Sequence, residues 1–316
     1  MRITIRPYRG GDEANIVALW NRVLIHDLLD APTFYHKFLL DPNFDPSGTL
    51  VAVDNDRVIG FTQAMLRKVP LGFDLEPDTG WITALAVDSA YRRRGVAGQL
   101  LGRAEAWLKE NGHHHVEFSS YAPSYVVPGI DEAGYPGATA FFASQGYRTL
   151  YPCVAMELSL VDYVMPDDVR QLVARRESEG VTFETITPPY YVPLLQFCER
   201  EFYGDWTRAI REALIRNVPA SQISICRNGA NILGFTVFGA YDRSFDRFGP
   251  FGVANSQRGR GLGKALLHLT LEEQKRQQCH VSWFLWTGEK SPAGHLYRSA
   301  GFTVFRRFII VTKVLR

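Results

Sequence analysis

Gln257-Arg258-Gly259-Arg260-Gly261-Leu262-Gly263-Lys264 is the stretch on which the reading of this chain turns. An apolar run, Phe248 to Ala254, precedes it and a helix-forming segment, Ala265 to Lys275, follows, so the sequence predicts strand, glycine-rich turn and helix. Glycines let the backbone turn tightly and approach a ligand. The first amides of the new helix point outward, with the positive end of its dipole behind them. A phosphate or pyrophosphate suits that geometry. A basic turn with glycines is also an ordinary solvated corner, and the weight of this one comes from its repetition.

The repeat is Asp88-Ser-Ala-Tyr-Arg-Arg-Arg-Gly-Val-Ala97, which follows a predicted strand, Trp81–Val87, and opens a helix running to about Glu110 with a stop at Asn111-Gly112. Around the two turns the rest of the chain falls into register. Hairpins are predicted at 49–53 with 58–66 and at 222–226 with 231–238, and Val58-Ile-Gly-Phe-Thr62 matches Ile232-Leu-Gly-Phe-Thr236. Gly60 pairs with Gly234, Gly95 with Gly261 and Gly146 with Gly301, in unchanged order with the drift absorbed in loops, as a tandem duplication requires. Each copy opens on a strand (2–7 and 181–187) and closes on a short helix (136–144 and 294–300) and a strand region (147–160, read as two strands or one bent one, and 303–314). A charged helix from Pro166-Asp167-Asp168 to Glu179-Gly180 stands between them. The expected layout is a first domain over 1–160, a connector helix within 161–180 and a second domain over 181–316.

Length and composition agree with two globular domains: 316 residues, 46% hydrophobic and 22% charged. A net charge of +2 argues against a nucleic-acid or anionic-membrane partner, which calls for a concentrated basic face. Cys153, Cys198, Cys226 and Cys279 are widely spaced without metal-ligand pattern and read as reduced thiols of a cytoplasmic protein. The start, Met1 to Arg9, alternates and then turns polar, unlike a secretory signal, and no window is long enough to span a bilayer. His113-His114-His115 cannot converge on one ion from adjacent positions, so no metal is expected.

Arg92-Arg93-Arg94-Gly95-Val96-Ala97 and Arg258-Gly259-Arg260-Gly261-Leu262-Gly263 both resemble the Arg/Gln-x-x-Gly-x-Gly/Ala motif of the GNAT superfamily of acetyl-coenzyme-A-dependent N-acetyltransferases. Phe142-Ala-Ser-Gln-Gly-Tyr147 and Leu296-Tyr-Arg-Ser-Ala-Gly-Phe302 resemble the same family's aromatic-x-x-x-Gly-Phe/Tyr segment, so the resemblance covers the chain as two copies. It implies an α/β (α+β) fold of two tandem domains, each a mixed, mostly antiparallel sheet splayed after its fourth strand and flanked by helices. Acetyl-CoA (coenzyme A) would be the cofactor, its pantetheine arm beside Val87 or Val253 and its pyrophosphate on the turns Arg92–Ala97 and Arg258–Lys264. By the same resemblance Tyr297 would protonate the departing thiolate, a role its counterpart Phe142 lacks the hydroxyl to fill, which favours the C-terminal copy for chemistry. Direct attack of an amine on a thioester asks for orientation and a polarised carbonyl more than for a protein nucleophile.

Candidates for the general base are Glu289, Asp246 and Asp242 in the second copy and Glu117 in the first; each is also an ordinary surface carboxylate. The asparagine common in the family seven residues before the tyrosine is replaced by Lys290, so the polar network of that cleft must differ. The leading expectation is acetyl transfer to a primary amine of a small molecule or peptide. A non-catalytic coenzyme A or acyl-CoA-binding or interaction module, and amide formation on a special metabolite, stay open. The sequence leaves the acceptor to the loops 69–79, 121–135 and 241–247 and is silent on oligomeric state.

Overall fold

The computed structural model describes residues 3–70, 75–122, 124–241 and 244–316. Contacts gather them into two compact units. Residues 3–70, 75–153 and 306–316 make up the described part of unit 1, and residues from 154 to 305 make up that of unit 2.

Unit 1 runs β1 (Ile3–Pro7), α1 (Glu13–Val23), α2 (Ala31–Phe34), β2 (Thr49–Asp54), β3 (Arg57–Leu66), β4 (Thr79–Val87), α3 (Val96–Glu110), β5 (His115–Phe118), α4 (Ala138–Ser144) and the start of β6 (Arg148–Ser159). Strands β1 to β4 pair antiparallel in sequence order, and β5 joins β4 in parallel. Helix α3 buries Val96, Leu100, Leu101, Ala104 and Leu108, the one-sided spacing of an amphipathic helix, against that sheet. It stops where Gly112 adopts φ +84° and donates to the Lys109 carbonyl.

Unit 2 repeats the plan: α5 (Asp167–Ser178), β7 (Val181–Thr185), α6 (Tyr191–Glu201), α7 (Gly204–Ile215), β8 (Ile223–Asn228), β9 (Asn231–Phe238), β10 (Phe248–Val253), α8 (Leu262–Arg276), β11 (Val281–Thr287), α9 (Pro292–Ser299) and the start of β12 (Thr303–Val314). Strands β7 to β10 pair antiparallel in order. The charged segment expected to connect the halves is helix α5, and it packs inside unit 2 on α8 and β7.

The units depart from consecutive blocks of sequence at two strands. The region 147–160 is one unbroken twelve-residue strand, β6; its second half, from Val154, belongs to unit 2 and pairs antiparallel with β11. Strand β12 does the converse. From Arg306 onward it belongs to unit 1, where Thr312, Lys313 and Val314 pair with Glu117, Val116 and His115 of β5. Val311 and Leu315 lie in the core of unit 1, and Arg306 reaches Asp27 at 2.6 Å and Asp131 at 2.8 Å. Burial of each such aliphatic side chain is worth about 1.5–3 kcal/mol. A chain ending at Phe305 is therefore expected to lose slow amide exchange at Val116–Phe118 of β5, while the β8–β9 hairpin keeps its protection; hydrogen exchange read by mass spectrometry on both segments measures this.

Candidate functional site

The two glycine turns have the same backbone. After β4 a short helical turn, Ser89–Tyr91, is followed by extended Arg92 (φ −63°, ψ 155°); after β10, Asn255–Gln257 is followed by extended Arg258 (φ −64°, ψ 156°). Left-handed residues come next at Arg93 (φ 59°) and Gly95 (φ 78°), and at Gly259 and Gly261 (both φ 78°). A fifteen-residue helix begins at once in each copy. Alternating handedness turns successive N–H groups toward one concavity at a helix N-terminus, a seat for an anion. The N-terminal copy holds it at Arg93 without glycine, a conformation that costs an L-residue about 1–2 kcal/mol.

What seats each helix start is a glycine on the neighbouring strand. A Cβ on Gly60 would stand 2.8 Å from Leu100 Cδ1, and one on Gly234 would stand 2.9 Å from the Gly252 carbonyl oxygen and 3.1 Å from Leu266 Cδ1. The matched Val-Ile-Gly-Phe-Thr and Ile-Leu-Gly-Phe-Thr segments thus let α3 and α8 lie directly on their hairpins.

Each turn stands at the end of an open strand. In unit 1 the β4–β5 ladder runs from Thr79 with His115 to Ile82 with Phe118, and Ser119 N–H on the Ile82 carbonyl (2.8 Å) is followed by no further rung among the described residues. In unit 2 a parallel bridge, Arg247 with Trp283, precedes β10. Both open strands carry one extra residue opposite their partner, at Thr83 in β4 and between Phe248 and Phe251 in β10. The amides of Asp88 and Ala254 bond β3 and β9 (both acceptors at 2.8–2.9 Å), so by strand alternation Leu85 and Val87, and Phe251 and Val253, present theirs to the opening. Pro250 falls in the other set, where its missing N–H costs the opening no donor.

The charges differ between copies. Arg92, Arg93, Arg94 and Gly95 are exposed, and no carboxylate pairs with Arg92 or Arg93 among the described residues; Arg94 lies 5.5 Å over the Tyr91 ring. In the C-terminal turn Arg260 meets Glu179 at 3.3 Å and Gln257 at 2.6 Å, and Lys264 meets Asp168 at 2.6 Å. Leu172 of α5 packs where a Cβ on Gly261 would be, 2.9 Å away.

Tyr297 sits on α9, whose first turn is capped by Ser291 Oγ accepting from Gly294 N–H at 3.1 Å. It is 7% exposed among Phe284 (4.4 Å between ring centres), Phe302 (5.6 Å), Phe248 (5.9 Å) and Phe251 (6.2 Å) of β10. Burial raises its pKa, so the phenol holds its proton at any physiological pH. In unit 1 Phe142 takes the same place, 4.3 Å from Phe118 and 5.1 Å from Tyr147.

The carboxylates expected as bases are occupied. Glu289 accepts from Arg298 of α9; Asp246 accepts from Ser244 and from Trp283 Nε1, each at 2.9 Å; Glu117 accepts from Ser120 Oγ at 2.5 Å. Asp242 lies outside the described residues. His113 Nδ1 bonds the Thr79 carbonyl (3.1 Å) and His115 faces Asp78 (3.2 Å).

A buried polar cluster at the start of the unit 1 opening was not expected. Asp41, 4% exposed, accepts from Ser124 Oγ (2.8 Å), Asn43 N–H (2.9 Å) and Tyr121 O–H (3.2 Å), and Asn43 Nδ2 donates to Tyr121 (3.1 Å). The Tyr121 ring leans on Trp81 of β4 at 5.2 Å, with Arg67 over both. The bonded residues come from two loop segments about eighty positions apart, and only the spacing Asp41-x-Asn43 hinted at a turn.

The family model described as the acetyltransferase (GNAT) family matches residues 16–124, and that described as an acetyltransferase (GNAT) domain matches 219–304, together more than half of the chain. Among solved structures the chain resembles a GCN5-related glucosamine N-acetyltransferase region of a fungal multi-domain GH3 β-N-acetylglucosaminidase (19% identity, TM-score 0.80, 98% of this chain and 38% of that one). It also resembles a GCN5-related N-acetyltransferase from Sphaerobacter thermophilus (17%, TM-score 0.73, 99% and 96%). A third is a tandem GNAT protein of the clavulanic acid biosynthesis pathway, solved without acetyl-CoA (17%, TM-score 0.65, 99% and 98%). The chain spans 38% of the length of the fungal protein. No curated protein matches the sequence. No helix among the described residues is long and apolar enough to cross a membrane.

Two outcomes follow from this geometry. Gly261→Ala combines a left-handed backbone with a clash on Leu172 and should cost about 2–4 kcal/mol in urea unfolding, against about 1 kcal/mol for Gly259→Ala, which has the same φ but open space. On α8, His268 is buried with Nδ1 hydrogen-bonded to the Tyr163 hydroxyl (2.7 Å); burial, then the Lys264 charge, push its pKa from 6.5 down to about 4. The unfolded chain then binds the proton first, so stability should fall as pH drops from about 6.5 toward 4, and His268→Gln should flatten that slope in urea melts across the window.

Proposed function

This chain belongs to the GNAT acetyltransferases as a tandem two-domain member, an acyltransferase, and we propose that it transfers acetyl from acetyl-CoA to a primary amine by direct attack in a ternary complex, with the chemistry in the C-terminal copy. The observation that carries this reading is the placement of Tyr297 beside β10, the open strand that leads into the Gln257–Lys264 turn.

The pyrophosphate would lie on the amides of Gly259 to Gly263 and the pantetheine arm along the exposed edge of Val253. The Phe251 N–H would receive the developing oxyanion of the thioester carbonyl, which is what such a donor does best in a water-poor cleft. A neutral phenol at 297 would give its proton to the leaving thiolate. The amine must arrive uncharged. Asp246 and Glu289 both border this copy, and with each already engaged, a water relay to Asp246 is the route that leaves its Trp283 bond intact.

One observation favours a second reading. Unit 1 combines a turn whose Arg92 and Arg93 have no carboxylate partner among the described residues with the buried Asp41–Tyr121 cluster at the far end of the same open strand. That arrangement suits an N-terminal copy that binds coenzyme A, and in which the acceptor end is shaped even though Phe142 offers no proton.

Coenzyme A titrated calorimetrically into wild type, Gly95→Glu and Gly261→Glu is expected to show two sites, one lost in each variant. Tyr297→Phe should lower kcat by about 10²–10⁴ with the acetyl-CoA KM nearly unchanged, measured by thiol release with an amine acceptor. An unchanged kcat in Tyr297→Phe moves the chemistry to the N-terminal copy.

A further inference from the structure

In the C-terminal turn Arg260 and Lys264 meet carboxylates, while Arg258 meets none among the described residues. Helix α5 lies on α8, and three of its contacts converge on the turn. Asp168 Oδ2 accepts from Lys264 Nζ at 2.6 Å. Glu179 Oε2 accepts from Arg176 Nη1 at 2.5 Å and is shared with Arg260 Nη2 at 3.3 Å. Leu172 closes the side of Gly261. Both carboxyls are held below the usual carboxylate range, Asp168 by Lys264 and Glu179 by Arg176 and then Arg260, so both are ionised at neutral pH. The N-terminal turn has Gly98 where Lys264 stands and no carboxylate on Arg92 or Arg93 among the described residues.

We propose that Asp168 and Glu179 are affinity-setting residues of the C-terminal cofactor turn, holding its cations until a diphosphate displaces them and so making this copy the weaker of the two for coenzyme A. The proposal rests on the reading of Gln257–Lys264 as a coenzyme A turn. Its physics is a competition for the same donors. A phosphate on the α8 amides sits within a few ångströms of Lys264 and Arg260, and an ionised carboxylate bonded to those cations cancels their attraction and adds its own repulsion. The pairs are exposed enough (side chains 36–67% accessible) to exchange partners rather than lock the turn. Cofactor would then fill the N-terminal turn first and the C-terminal turn over a higher concentration range.

The test uses the full chain and coenzyme A as probe. In the Gly95→Glu protein, where the C-terminal turn binds alone, Asp168→Asn with Glu179→Gln should tighten the calorimetric Kd by about five- to tenfold. It should also steepen the fall of affinity with salt, since the cations no longer carry internal counterions. In the Gly261→Glu protein the same double change should leave the N-terminal Kd within about twofold. Unfolding midpoints report whether α5 still packs. If the double variant fails to fold, Asp168→Asn alone, which leaves Glu179 on Arg176, is measured in its place. An equal or weaker Kd at the C-terminal turn overturns the proposal while leaving the turn a cofactor site. No binding to the Gly95→Glu protein, with or without the acids, removes the underlying reading as well.

Discussion

A leucine seated on a strand glycine is the contact on which each half of this protein depends. Leu100 on Gly60 and Leu266 on Gly234 bring a fifteen-residue helix so close to its hairpin that a Cβ on either glycine would stand 2.8 Å or 3.1 Å from a leucine methyl. That distance fixes where the helix begins, and therefore where its unbonded amides point. The left-handed residues before it then have one place to go. The glycine turn and the open strand before it meet at the helix start that this contact sets, and the proposed anion seat lies there.

The two units are equal in backbone and unequal in side chains. Their turns agree in backbone at Arg92 and Arg258, at Arg93 and Gly259 and at Gly95 and Gly261, and their open strands agree even in the single extra residue. Tyr297 carries a hydroxyl where the other copy has Phe142, and Arg260 and Lys264 meet carboxylates where Arg92 and Arg93 meet none among the described residues.

The long strands are where a reading by consecutive blocks meets its limit. Nothing in the alternation of residues 147–160 or 303–314 marks the point at which each strand passes from one compact unit to the other. Strand periodicity reports which face is buried, not whose sheet supplies the neighbour. Placement of Arg306 with Asp27 and Asp131 likewise joins residues 279 and 175 positions apart. The Asp41–Tyr121 cluster escaped notice for the same reason, since its members sit in loops whose turn chemistry is local while their partners are not.

By itself the sequence determined the duplication, the strand–turn–helix order and the family, because glycine spacing and hydrophobic period are local constraints that any fold of this chain must obey. It also picked out Tyr297 and the two turns by position. Only the tertiary structure decided which strand completes which unit, that Glu289 and Asp246 are engaged by Arg298 and Trp283, and that α5 belongs on the C-terminal turn rather than between domains. Those are matters of long-range packing and charge, where a residue's role depends on what arrives beside it, and no spacing along the chain encodes that.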